Sequence, residues 1–414
     1  MQWSPKQEAA LKAVSDWLAD PNRKQVFKLF GYAGTGKTTM ARILAESCGG
    51  QVLFAAYTGK AASVMKASGC LNATTIHRLI YKPQPKSDVR LLELKGHLAE
   101  LNTTIASTPK DAEEYTTLIQ SLEATEAEIE AIQQDLKRPA FVLNFDSPVK
   151  RAKLIVIDEC SMVNESMGRD LESFGTPILV LGDPAQLPPV AAAGYFTNGN
   201  PDVMLTEIHR QAQDSPIIRL ATLIREGGYP SPGQYGESLV VPKGDLDPES
   251  VMVHDQILVG RNTTRSASNV RARQILKRGA DNPLGHLPVA KDRLVCLRND
   301  HMIGLLNGEI WTVQESIVVD NDSMCLTLLS EDRLPLVCDA HRAPFEGREL
   351  DYREQRLAQS FDYGYALTTH KAQGSQWPAV IIFDESYCFR ADRKRWLYTA
   401  VTRASQRVTL VTGF

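Results

Sequence analysis

Short runs of consecutive apolar residues recur along the chain. QVFKLF (25–30), QVLFAAY (51–57), KLIVIDE (153–159) and PILVLGD (177–183) lie in the first half, and AVIIF (379–383) and RVTLV (407–411) lie near the end. Continuous rather than alternating hydrophobicity predicts strands buried on both faces, as in parallel sheets covered by helices. The runs group into two such sheets, one before about residue 230 and one after about residue 255. Residues 4–20 carry helical spacing, with Ser4 placed to cap and Pro5 in the first turn. TTMARILAESC (38–48) predicts the helix that follows the first strand.

Two segments break this pattern. Residues 86–138 lose the strand pattern: Leu91, Leu94, Leu98, Leu101 and Ile105 repeat every three or four positions, and the repeat resumes at Leu118, Leu122, Ile129, Ile132 and Leu136. This predicts an antiparallel helical hairpin with an acidic second arm. In 290–350, DRLVCLRND, GEIWTVQESIVV, SMCLTLLS and RLPLVCD read as short strands between turns, as in a small β-barrel. GGYPSPGQYGE (227–237) is rich in glycine and proline and reads as a joint.

Composition narrows the picture a little. With 414 residues the chain is long enough for several compact units, and 43% hydrophobic with 23% charged residues suits a buried core. A formal net charge of -3 does not announce a nucleic-acid partner, so any basic surface must be local. Seven scattered cysteines, without the close pairs of a zinc knuckle, read as free thiols in a reducing compartment. The N-terminus has no signal-peptide pattern, and no run approaches the ~18 apolar residues of a membrane span. A soluble cytoplasmic protein is expected.

The chemistry begins at LFGYAGTGKTTMA (29–41). Gly31, Gly36, Lys37 and Thr38 complete the phosphate-loop pattern between a predicted strand and a predicted helix. Such glycines let backbone N–H groups curl round phosphate oxygens, Lys37 reaches the β and γ phosphates, and the Thr38 hydroxyl suits Mg²⁺. Asp158 and Glu159 end a strand: the first suits the metal through water, the second suits a general base for the attacking water. Phosphoryl transfer also needs cations on the developing charge, and Arg210 and Arg403 are candidates, although each taken singly also reads as a surface ion-pair residue. Gln186, just after a strand ending in Gly182-Asp183, offers a neutral amide that can sense the γ-phosphate.

VIDECSM, LGDPAQLPPV, LTEIHRQ, LTTHKAQGSQW (367–377) and YTAVTRAS (398–405) join the glycine loop in an ordered set that resembles the motifs of superfamily 1B DNA helicases, the RecD-like and Dda-like enzymes, over nearly the whole chain. The resemblance implies an α/β fold of two RecA-like parallel-sheet P-loop domains. The first would comprise 1–82 and 150–230, with a helical-hairpin or pin insert at 83–149. The second would comprise 231–289 and 351–414, with a small SH3-like barrel inserted at 290–350. In Dda-like enzymes a small pin at the first insert splits the duplex; here that insert is longer and helical, and AFVLNF (140–145) is the candidate strand for such a pin.

The same resemblance assigns roles. Gln7 sits where the Q motif contacts adenine, and Gly31, Ala33, Gly34, Thr35, Gly36, Lys37, Thr38 and Thr39 form motif I. Asp158 and Glu159 are motif II, Gln186 is motif III, and Arg210 and Arg403 are the two γ-phosphate arginines. Thr58 and Lys60 match motif Ia. Thr74, Thr75 and His77 match the next DNA-contact motif, and Asn262 and Thr263 match a backbone-contact segment of the second domain. His370, Lys371 and Gln373 are motif V, joining the DNA and ATP sites. Trp377 reads either as a base-stacking platform or as core, and His77 and His370 also suit structural roles. The implied activity is an ATP- and Mg²⁺-dependent 5′-to-3′ helicase on single-stranded and forked DNA, working as a monomer with replication or recombination proteins as possible partners. The alternative is an ATP-gated clamp or remodeller that does not unwind.

Overall fold

A computed structural model describes residues 3–84, 89–110, 113–137, 140–188, 194–207, 214–298, 300, 303, 305–330, 333–348, 350 and 357–413. The chain divides into two compact units: Tyr81–Asn144 with Leu350–Leu357 form the smaller, and the rest forms the larger.

The larger unit starts with α1 (Pro5–Ala19), closed at its N-terminus by a reciprocal pair: Gln7 N–H donates to Ser4 Oγ, and Ser4 N–H donates to Gln7 Oε1. Then come β1 (Val26–Gly31), α2 (Lys37–Ser47), β2 (Val52–Ala56), α3 (Gly59–Ala67), β3 (Thr74–Thr75) and α4 (Ile76–Ile80). After the insert follow β6 (Leu154–Asp158), α7 (Glu165–Glu172), β7 (Ile178–Gly182) and β8 (Val203–Leu205). The strands form a six-stranded sheet ordered β3-β2-β6-β7-β1-β8, with every pair parallel. Its central strands are buried on both faces, which is why their sequences are continuously apolar.

The second sheet has six strands in the order β17-β11-β18-β19-β10-β9: β9 (Gly233–Tyr235), β10 (Ser238–Pro242), β11 (Gln256–Val259), β17 (Ala366–Thr368), β18 (Trp377–Phe383) and β19 (Ala404–Thr412). Only the β9–β10 pair is antiparallel. The sheet thus begins near residue 233, within the domain expected from 231 but ahead of the apolar runs expected after 255, because β9 is short and without a buried residue and β10 alternates at its start. Helix α8 (Pro216–Arg225) lies within the range expected for the first domain, yet Ile217, Leu220, Ala221 and Ile224 pack with Val240, Trp396 and Leu410 of the second. The change of sheet therefore falls before residue 216. An apolar stripe says that a helix must be covered; it does not say which sheet covers it.

Helices α9 (Asn262–Ile275) and α10 (Arg393–Val401) flank this sheet. A third, five-stranded antiparallel sheet has the order β15-β14-β13-β12-β16: β12 (Arg293–Cys296), β13 (Ile310–Val318), β14 (Ser323–Ser330), β15 (Pro335–His341) and β16 (Phe361–Tyr363). The four strands expected in 290–350 are there, and β16 lies beyond that range. Leu294, Trp311, Val313, Met324, Leu326 and Phe361 form its core.

The smaller unit contains β4 (Tyr81–Gln84), α5 (Val89–Ser107), α6 (Glu113–Lys137) and β5 (Ala140–Leu143). The helices form a hairpin in which Leu94, Leu101 and Ile129 of the expected stripe are buried, and Arg90 pairs with Glu128 at 3.0 Å. AFVL pairs antiparallel with β4 as a two-stranded ribbon, Tyr81 opposite Leu143 and Gln84 opposite Ala140. All seven cysteines are free. Among the described residues, no helix is long and apolar enough to cross a membrane.

Candidate nucleotide site and strand-contact residues

The loop between β1 and α2 takes its shape from its glycines. Gly34 and Gly36 have φ of 78° and 82°, where a Cβ is unfavourable. A Cβ on Gly31 would lie 2.7 Å from Leu205 Cβ. Lys37 Nζ donates to the carbonyl oxygens of Gly31 (2.6 Å) and Tyr32 (3.1 Å), so the loop holds its own lysine. Gln7 stands behind the loop: besides capping α1, its buried amide donates to Thr35 O at 3.0 Å.

Thr38 and Asp158 meet at the ends of α2 and β6, the hydroxyl donating to Asp158 Oδ2 at 2.9 Å. This pair of oxygen donors suits a hard divalent cation such as Mg²⁺. Glu159 follows in a left-handed conformation (φ 50°, ψ 46°), an uncommon geometry for a residue with a side chain. Burial pushes its carboxyl above the ordinary range, and Asp158 adds to this, while Arg403 and Lys37 oppose it. Gln186 has a buried side-chain oxygen with no hydrogen-bond partner among the described residues. An orphaned acceptor at such a place is what a site awaiting a bound ligand presents.

Arg403 comes from the other sheet. It is 4% exposed and lies 3.7 Å from Glu159 Oε1. Its guanidinium also donates to Thr399 O (3.1 Å), Ser375 O (3.3 Å) and Thr402 Oγ1 (3.3 Å). One cleft of about 260 Å³ is lined by Ala33, Gly34, Gly36, Lys37, Thr38, Thr39, Asp158, Glu159 and Gln186 from the first sheet's side and by Gly374, Gln376, Thr402 and Arg403 from the second. Arg210 lies outside the described residues. Gln373, expected at the nucleotide, is buried and donates its amide to Leu187 O at 2.9 Å; Gly374 and Gln376 supply that part of the lining.

Residues that were not singled out complete the seam. Tyr398 Oη accepts from Ala33 N–H and donates to Asp183; Thr399 Oγ1 accepts from Leu187 N–H at 2.9 Å. Both side chains belong to the quoted stretch YTAVTRAS, but spacing alone does not connect them to a partner. Ala61, Val64, Met65 and Ser68 of α3 form a further part of the lining.

The strand-contact candidates are more dispersed. Thr58 caps α3, accepting from Ala61 N–H at 3.1 Å, and Lys60 is half-buried in the next turn. Thr74 and Thr75 form β3 at the edge of the first sheet, Thr75 buried and accepting from Arg78 N–H at 3.2 Å; His77 is half-buried in α4. Asn262 and Thr263 are exposed at the start of α9. That start is held by Glu385, which is fully buried: Oε2 accepts from the N–H groups of Gly260 (2.8 Å) and Arg261 (2.9 Å), and Oε1 from Thr264 Oγ1 (2.6 Å) and Arg261 Nε (2.7 Å). Burial alone would raise this carboxyl, but the donors outweigh it and hold the group below the ordinary range.

Lys371 is exposed, whereas the His370 ring lies against Phe389 (5.5 Å between centroids), which stacks on Trp396; burial lowers the His370 pKa. Trp377 corrects one expectation. It is 4% exposed in the core of the second sheet, among Val380, Leu397 and Val401, so it is packing and not a platform for bases. Its place at the start of β18 beside β19 turns the ring inward.

Fold and cleft together define a P-loop protein with two RecA-like sheets that both line the candidate cleft. A family model described as an AAA domain matches residues 2–238, more than half of the chain, and one described as a UvrD-like helicase C-terminal domain matches 363–411. The chain belongs to this AAA-domain family. The ATP-dependent RecD2 DNA helicase of Deinococcus radiodurans is 27% identical over 402 residues, covering 92% of this chain and 46% of that protein. The chain thus spans about half the length of this curated relative. Two solved structures are similar at 16% identity and a TM-score of 0.49 each. One is Pif1 helicase from Bacteroides in complex with ADP-AlF3 and ssDNA (99% of this chain, 92% of that one). The other is Pif1 helicase from Candida albicans (100% and 95%).

Proposed function

We propose that the protein is an ATP-driven motor that travels 5′ to 3′ along single-stranded DNA and separates duplex at a fork. The observation that carries this reading is the cleft, where the glycine loop, the Asp158-Glu159 pair and Gln186 face Arg403 from the opposite sheet. Support for ATP and DNA as substrates comes from the 27% identical RecD2 helicase. The polarity follows from the motif resemblance to superfamily 1B.

ATP binds with its phosphates in the glycine loop, and Lys37 exchanges the Gly31 and Tyr32 carbonyls for the β and γ phosphates. Thr38 and Asp158 are the residues that would hold Mg²⁺, which would neutralise phosphate charge when bound. Glu159 takes the proton of the attacking water, and a raised pKa makes it a better acceptor. Arg403, held beside Glu159, faces the charge that develops on the transferring phosphoryl group. The open Gln186 Oε1 accepts a hydrogen bond from the attacking water. Because Arg403 and the loop belong to different sheets, binding and release change the fit between them. If Thr58, Lys60, Thr74, Thr75 and His77 on one side and Asn262, Thr263, His370 and Lys371 on the other grip the strand in alternation, that change becomes stepping.

Forked-duplex unwinding tests the reading, with a 5′ tail and then a 3′ tail, each with and without ATP. Separation from the 5′ tail with ATP is expected. Separation from the 3′ tail alone would overturn the polarity, and strand-stimulated turnover without separation would favour an ATP-gated clamp.

A further inference from the structure

We propose that Tyr398 is a positioning residue for this hydrolysis, its hydroxyl joining the glycine loop and the Gln186 loop to the segment that carries Arg403. The proposal rests on the reading of the cleft as a nucleotide site. Tyr398 lies in α10 and is 1% exposed. Its oxygen accepts from Ala33 N–H at 2.8 Å and donates to Asp183 Oδ2 at 2.7 Å. Ala33 belongs to the glycine loop after β1, and Asp183 to the loop after β7, so two loops of the first sheet meet on one atom of the second.

Each partner leads directly to the cleft. Ala33 lines it. Asp183 opens the turn that presents Gln186, its Oδ1 accepting from Ala185 N–H at 3.0 Å and its carbonyl from Gln186 N–H at 3.2 Å. On the other side, Thr399 takes Leu187 N–H and returns its own carbonyl to Arg403 Nε at 3.1 Å. Tyr398 and Arg403 are thus five positions apart, across the C-terminal end of α10. Burial and Asp183 raise the phenol's pKa, so it keeps the proton it donates. A phenol that only filled space would not need these two polar partners, and both lose a buried partner if the oxygen is removed.

Tyr398→Phe in the full chain keeps the ring and deletes the bridge. The expected result is a fall in strand-stimulated ATPase kcat of ~10-fold or more, with KM for ATP and affinity for a fluorescent ADP changing less than ~3-fold. Combined with Arg403→Ala, it should add little to the loss from Arg403→Ala alone, because the two act through one unit. Unchanged kcat, an equal loss of kcat and ADP affinity, or full additivity with Arg403→Ala would each overturn the proposal. The unmodified chain, assayed alongside, separates the two ideas: if it turns over no ATP, the nucleotide-site reading itself falls. If it does and Tyr398→Phe matches it, only the role of Tyr398 falls.

Discussion

The cleft between the sheets and the surfaces that carry the strand-contact candidates hold their polar groups in different ways. In the cleft, Lys37, Thr38, Glu159 and Arg403 already have protein partners, at 2.6, 2.9, 3.7 and 3.1 Å for one contact each. On the strand-contact surfaces Asn262, Thr263 and Lys371 are exposed, and rigidity is supplied one layer below, as Glu385 does for the start of α9. The contrast follows from the tasks. Transition-state charge is met by groups that must not reorganise when it appears. A passing phosphate backbone is met by donors that can let go again, so exposed side chains on firm backbone, as at Asn262 and Thr263, suffice.

Substitutions should separate these two regions, and the largest effect belongs to the cleft. Lys37→Ala should abolish ATP turnover while single-strand affinity without nucleotide stays within ~3-fold, read by fluorescence anisotropy. Full turnover in that variant would mean that the glycine loop does not hold the phosphates. Next comes Arg403→Ala. A cation acting on the developing charge should cost ~10³-fold in kcat, with much less change in nucleotide affinity, because its contribution is made in the transition state. Equal losses would move Arg403 to a ground-state role and blur the distinction drawn above.

The smallest effect is expected at the strand side. Glu385→Gln gives up one acceptor oxygen beneath Gly260, Arg261 and Thr264, worth ~1 kcal/mol in hydrogen bonding. Single-strand affinity should fall by a corresponding several-fold, and ADP affinity should hold. If strand binding is unchanged, the start of α9 is not part of the strand path.

What could be read in the chain differs between the same two regions. Phosphate-loop chemistry is carried by contiguous residues, so Gly31 to Thr39 and Asp158-Glu159 were visible as local spacing against apolar strands. The hairpin stripe was visible for the same reason. Trp377 was not settled, because an aromatic after a glycine fits a platform and a core equally until the neighbouring strand is known. Motif position alone points Gln373 at the nucleotide, whereas its amide holds the loop after Gln186 through Leu187 O. Helix α8 showed its apolar stripe without naming the sheet that would receive it.

By itself, the sequence determined two parallel sheets, a phosphate loop, a helical insert and a strand-rich insert. Those features depend on hydrophobic runs and on backbone conformations set by neighbouring residues. Tertiary structure alone decided what meets across the seam. Ala33 and Tyr398 stand 365 positions apart and share a hydrogen bond, and Glu159 faces Arg403 from another sheet. No local spacing encodes such pairs; they arise only where the two sheets come together around one cleft.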